Sequence, residues 1–86
     1  MPDMKGLKVA FGKAVRKRRE AVGVSQERLA ELAGVHRTYV GDVERGERNI
    51  ALINMQRIAR ALGLKLSKLI RDAESLAGEA SCKRDR

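Results

Sequence analysis

The chain is expected to fold as a single all-α domain of five short helices, and three observations point there. Its 86 residues include one proline, Pro2, and two aromatics, Phe11 and Tyr39, so any core must be built from Leu, Val, Ile and Ala. Apolar residues recur at helical spacing through most of the chain, and no stretch alternates as a strand would. Gly23, Gly34, Gly46 and Gly63 each follow such a stretch, where a left-handed residue ends a helix without a Cβ penalty.

The first helix is expected over residues 8–22, with Leu7, Phe11, Ala14, Val15 and Ala21 as its inner stripe and Arg18 at the edge. The second covers 25–33. Ser25 is a good N-cap, Glu27 suits the positive end of the helix dipole, and Leu29, Ala30, Leu32 and Ala33 form the buried face. The third runs over 36–45. The fourth covers 50–62, with Leu52, Met55, Ile58, Ala59 and Leu62 inward, and the fifth covers 66–76, with Leu66, Leu69, Ile70 and Ala73. Residues 1–7 are an N-terminal extension, 8–76 the domain, and 77–86 a polar basic tail expected to fray from Gly78.

Composition narrows the function. Nineteen Lys and Arg against eleven Asp and Glu give a net charge of +8, and seven of the basic residues lie between Lys5 and Arg19. A polyanion such as nucleic acid or an anionic membrane surface is the natural partner, with an ordinary solvated charged face as the alternative. Cys82 is the only cysteine and His36 the only histidine, so an intrachain disulfide and a Cys-rich metal site are excluded. No apolar run reaches membrane-span length, and no signal-peptide block precedes the domain. The expectation is a cytoplasmic protein without membrane partner, cofactor or small-molecule ligand. An enzyme is not expected, because no nucleophile–base pair, phosphate loop or metal spacing is present.

Helices two and three are separated only by "AGV", residues 33–35, a turn tight enough for a helix-turn-helix, although any small helical domain can contain such a corner. The faces of helix three favour the former. Val40 and Val43 point inward with Val35 at the turn, while Arg37, Gly41 and Arg45 form one outward row and Thr38 and Asp42 the next. Arginine can fork onto guanine, threonine can meet a base or thymine methyl, and aspartate can accept from cytosine N4. Asp42 can equally be an exposed partner of Arg45. Gly41 either lets the backbone approach DNA closely or is a tolerated exposed glycine. Arg45 and Lys13 suit phosphate contacts. His36 either touches a phosphate or simply faces solvent.

The segment "SQERLAELAGVHRTYVGDVERGERN" resembles the helix-turn-helix of phage-repressor-like transcriptional regulators, through Gln26, Leu29-Ala30, Ala33-Gly34-Val35, Val40, Val43, Glu44 and Gly46. Within that group "HRTYVGDVERGERN" is most similar to the controller proteins of restriction–modification systems, small dimeric five-helix regulators. The resemblance implies that Gln26 contacts a phosphate, that Arg37 and Thr38 face bases, and that Tyr39 lies near the sugar-phosphate backbone. For Tyr39 a partly buried core position is the alternative. It further implies that Arg48 and Asn49 reach the DNA, Arg48 to read bases and Asn49 beside the backbone. Arg19 and Glu44 match an internal salt bridge joining helix one to helix three. Lys65 departs from the pattern, since many relatives have Ser or Asp capping helix five there.

One recognition helix reads too few base pairs to find a site, so dimers reading two half-sites are the usual solution. The candidate self-association surface is Leu64, Leu66, Leu69, Ile70 and Ala73, with Leu64 also closing the monomer core. The implied function is a homodimeric, sequence-specific regulator of transcription on a short palindromic operator of double-stranded DNA. Its own gene is an expected target and a restriction–modification system an expected setting. The alternative is an antitoxin or other interaction module built on the same fold.

Overall fold

A computed structural model of the chain describes the backbone of residues 4–81 and the side chains of residues 6–78. It contains α1 (Met4–Val22), α2 (Gln26–Ala33), α3 (Arg37–Glu44), α4 (Leu52–Ala61) and α5 (Leu66–Ser81), with no strand among the described residues. The ends differ from expectation by more than one residue at three places. α1 starts at Met4, so part of the expected extension is helix, because Gly6 lowers helix propensity without ending the helix. α4 starts two residues late, since Ala51 is extended (φ −70°, ψ 151°) and Ile50 turns half-buried toward the core. α5 continues to Ser81, past the expected end at residue 76. Gly78 stays out of the left-handed region and therefore does not stop it. Residues 82–86, with Cys82 and three basic residues of the expected tail, lie outside the described part.

The core is one aliphatic cluster into which every helix sends residues. Phe11, Ala14 and Val15 come from α1, Leu29, Ala30 and Ala33 from α2, Val40 and Val43 from α3, Ile58 and Ala59 from α4, and Leu69 and Ala73 from α5. Leu62 closes it just past α4. Four expected core residues are instead exposed: Leu7, Ala21, Leu32 and Leu52. Helical spacing marks a stripe, but it does not say which turns of that stripe a neighbour covers. α1 is covered along its middle, where Ala10 is also buried, and its two ends project.

The crossing of α1 over the end of α3 depends on two bare backbones. A Cβ on Gly12 would strike the Val43 carbonyl oxygen and stand 2.7 Å from that of Glu44. Gly46, just past α3, has φ 74°, and a Cβ there would lie 2.8 Å from Val9 Cγ2 and 2.9 Å from Val9 Cα. Val9 and Gly12 are three residues apart and share one face of α1. Gly12 thus makes room for the last carbonyls of α3, and Gly46 just beyond α3 makes room for Val9 of α1. The result locks α3 against α1 at backbone distance.

Candidate nucleic-acid interface

The turn between α2 and α3 is built by hydrogen bonding. The Ser25 hydroxyl accepts from Arg28 N at 2.9 Å at the start of α2. At its end Gly34 takes φ 75°, and the Gly34 and Val35 amides both donate to the Ala30 carbonyl, at 2.9 and 3.0 Å. His36 is the N-cap residue of α3 without a side-chain cap bond, and its side chain is exposed. Val40 and Val43 are buried beneath, which aims the opposite side of α3 outward, with Arg37 and Thr38 exposed at its first turn.

The inner flank of α3 is held by one carboxylate. Glu44 Oε2 accepts from Arg19 Nε at 2.6 Å, and Oε1 accepts from Arg19 Nη2 at 3.1 Å and Gln26 Nε2 at 3.0 Å. Arg19 Nη1 also donates to the Val24 carbonyl at 3.0 Å. The Glu44 side chain is 4% exposed and that of Arg19 13%, so the forked pair is largely shielded from water. The bond to Glu44 raises the Arg19 pKa above its ordinary value, against the opposing effect of burial. Gln26 is half-buried in this cluster rather than fully exposed, with part of its amide engaged by Glu44.

The outer flank carries a second network. Asp42 Oδ1 accepts from Arg45 Nη2 at 2.5 Å, and Oδ2 accepts from Arg48 Nη2 at 2.9 Å. Arg45 Nε also donates to Glu47 at 3.2 Å. The Arg48 guanidinium lies 4.8 Å from the centroid of the Tyr39 ring, and the Tyr39 hydroxyl accepts from Asn54 Nδ2 of α4 at 3.2 Å. The Arg48 bond, reinforced by both arginines' charges, holds the Asp42 carboxyl below its ordinary value. Glu47 and Asp42 raise the Arg45 pKa. Because the Asp42 carboxyl is depressed, its two arginine pairs persist through mildly acidic pH and are lost only as pH falls through that lowered value.

Gly41 corrects a sequence expectation. It is buried, not a bare exposed patch, because the Arg45 side chain folds across it toward Asp42. A Cβ there would first meet the Arg45 guanidinium at 3.2 Å, with Gln26 Oε1 at 3.8 Å. Lys13 is exposed on α1, and no hydrogen bond or ion pair joins it to α3. Asn49 is exposed and lines an apolar groove between α1 and α5, with Leu7, Phe11, Ile50 and Ile70. Sequence reasoning missed Gly12, Glu47 and Asn54. Asn54 lies in another helix, fifteen positions from the hydroxyl it bonds, so no local spacing rule reaches it.

The expected self-association stripe divides between core and surface. Leu69 and Ala73 are 0% and 1% exposed and belong to the monomer core. Leu64, Leu66 and Ile70 are only half-buried. Among the described residues the most exposed large apolar side chains are Leu52 and Ile53, at 64% and 60%, at the start of α4. Among the described residues no helix is long and apolar enough to cross a membrane.

Comparisons with known proteins agree with this geometry. A family model described as helix-turn-helix matches residues 15–69. The control protein C.MunI of a Mycoplasma species is 39% identical over 72 residues, 83% of this chain and 97% of that protein. The control protein C.SmaI of Serratia marcescens is 42% identical over 74 residues, 81% of this chain and 88% of that one. Among solved structures, the restriction-modification controller protein C.AhdI from Aeromonas hydrophila superposes with a TM-score of 0.70 at 49% identity, covering 71% of this chain and 92% of its own.

Proposed function

Because the chain belongs to the helix-turn-helix family, with restriction–modification controller proteins among its relatives, we propose that it is a sequence-specific transcriptional regulator of the controller type. It binds duplex DNA through α3 as a homodimer on a short palindromic operator, its own promoter included. The observation that carries this reading is the asymmetry of α3. One flank is tied to α1 and α2 by Glu44, while the side chains of Arg37 and Thr38 stand exposed at the opposite side with no hydrogen bond or ion pair among the described residues. The family is one of DNA-binding transcription regulators rather than of enzymes.

Base reading falls to Arg37, Thr38 and Arg48, with Asp42 at the same surface. Backbone contacts fall to Gln26, Tyr39, Arg45, Asn49, His36 and Lys13. Gly41 fits this division. Only the end of a flexible side chain occupies the space its Cβ would take, so the free fold does not require glycine there. Close approach of DNA once Arg45 swings aside accounts for it better. Selection of bound duplexes from a random pool at stated salt tests the whole reading. A symmetric half-site repeat about 34–36 Å apart is expected. Recovery of no preferred duplex would sink it. Arg37→Ala is expected to weaken binding to the selected duplex by about 1–3 kcal/mol and to narrow the gap to random DNA. Equal losses on both duplexes would make Arg37 a phosphate contact only.

The self-association surface is moved to Leu52 and Ile53 together with Leu66 and Ile70. Exposed leucine and isoleucine side by side on a short helix suit a self-complementary two-fold contact better than solvent. Ile53→Lys should leave thermal stability near that of the wild type while shifting sedimentation at tens of micromolar from dimer to monomer. Retention of the dimer, or a wild type that is monomeric with and without DNA, would overturn this assignment.

A further inference from the structure

We propose that Asp42 and Tyr39 form a cradle that orients the Arg48 guanidinium before DNA arrives, so that Asp42 governs selectivity by positioning Arg48 rather than by touching a base. The inference rests on the DNA-binding reading above, and deepens it. Arg48 stands beyond the end of α3, where a long side chain would ordinarily sample many rotamers. Here it is constrained from two directions. One edge donates to Asp42 Oδ2 at 2.9 Å, and its face lies 4.8 Å from the Tyr39 ring centroid. The ring is itself fixed from α4, since Asn54 Nδ2 donates to the Tyr39 hydroxyl at 3.2 Å.

The state of Asp42 argues against a direct base contact. Its two carboxylate oxygens already accept from two different arginines, and its side chain is only 21% exposed. Each oxygen keeps a free lone pair, but a cytosine N4 would have to reach it past the two guanidinium groups that flank a largely covered carboxylate. The Arg48 side chain, by contrast, is 45% exposed, and a guanidinium with one nitrogen engaged still has donors for a base or phosphate. Pre-orientation lowers the entropy lost on binding, which is where a flexible arginine otherwise forfeits affinity. Asp42 also places a negative charge beside the approaching phosphates. It thereby weakens contacts that any duplex offers while improving the one that needs a set geometry. Arg45 keeps Glu47 as a second partner, so loss of Asp42 bears chiefly on Arg48.

The test compares wild type, Asp42→Asn, Arg48→Ala and the double variant on the selected duplex and on a random duplex at fixed salt. Asp42→Asn should lower the specific-to-random affinity ratio about three- to tenfold, through weaker specific and stronger random binding. In the Arg48→Ala background the same substitution should change the ratio by less than about twofold. Additive effects, or a lost preference at one base pair that persists without Arg48, would overturn the proposal and make Asp42 itself the reader. A second arm needs no DNA: ¹⁵N relaxation at Arg48 Nε should report an ordered side chain in the wild type and a mobile one in Asp42→Asn. Equal mobility in both overturns the cradle, whatever the binding data show. Failure of the selection to recover any duplex would instead strike the DNA-binding reading, and the relaxation arm would still decide on the cradle.

Discussion

Glu44→Ala is expected to lower stability by about 3–5 kcal/mol, the range for removing one member of a buried ion pair. Three donors converge on this carboxylate: two guanidinium nitrogens of Arg19 and the Gln26 amide. With Glu44 truncated, Arg19 retains the Val24 carbonyl as hydrogen-bond partner and keeps a charge that is largely shielded from water. Small domains are stable by about 5–15 kcal/mol in total, so the loss takes a large part of the whole. For a chain of this length the melting temperature should fall by more than about 10 °C, readable by far-ultraviolet circular dichroism. Glu44→Gln keeps one acceptor oxygen and should lose less. Replacing Arg19 and Glu44 together by apolar residues should also cost less than Glu44→Ala alone, because no charge is stranded. A melting temperature within a degree or two of the wild type for Glu44→Ala would show that the pair contributes no net stability.

Gly12→Ala should destabilise by about 2–4 kcal/mol, even though alanine is the better helix former by about 1 kcal/mol. The added methyl would meet backbone: the Val43 carbonyl oxygen, then the Glu44 carbonyl oxygen at 2.7 Å and carbon at 2.9 Å. A side chain could rotate away from such a contact; the end of a helix cannot, so α1 has to lift from α3. Arg19 is seven residues along α1 from Gly12, two turns on the same face, and lifting the helix stretches its fork to Glu44. The two substitutions should therefore combine less than additively. Gly78→Ala is the internal control, since that glycine also sits in a helix but has open space where a Cβ would go. It should raise stability by up to about 1 kcal/mol. Melting curves of the two variants should thus move in opposite directions. A neutral Gly12→Ala would mean that the crossing relaxes without cost.

The number and order of helices were legible because glycine punctuation and aliphatic periodicity are local signals, each contained within a dozen residues. The orientation of α3 was legible for the same reason: Val40 and Val43 leave Arg37 and Thr38 no side but the outer one. The ion pair between Arg19 and Glu44 was anticipated only through resemblance, because no spacing rule connects residues 25 positions apart. What escaped notice is pairwise and non-local. Nothing around Gly12 marks it off from Gly6 or Gly78, and its role exists only where α3 arrives. Leu69 and Leu52 both lie at inward positions by helical spacing, yet tertiary packing buries the first and leaves the second exposed. The covering of Gly41 by Arg45 depends on where a long side chain lies, which composition and period do not encode.

The helix expected to read DNA spans eight residues, about 12 Å of axis, and its N-cap residue supplies no side-chain bond. A segment so short has no independent existence as a helix in water. Its shape is lent to it by Gly12 and Arg19 of α1, Gln26 of α2 and the buried pair Val40 and Val43. Exchange of recognition residues between relatives can therefore succeed one side chain at a time on this scaffold. Transplanting the bare segment would carry over the letters of an address without the hand that holds them in line. On the proposed reading, new operators would be reached by altering Arg37, Thr38 or Arg48 in place, while the residues beneath them hold the frame in which any such change is read.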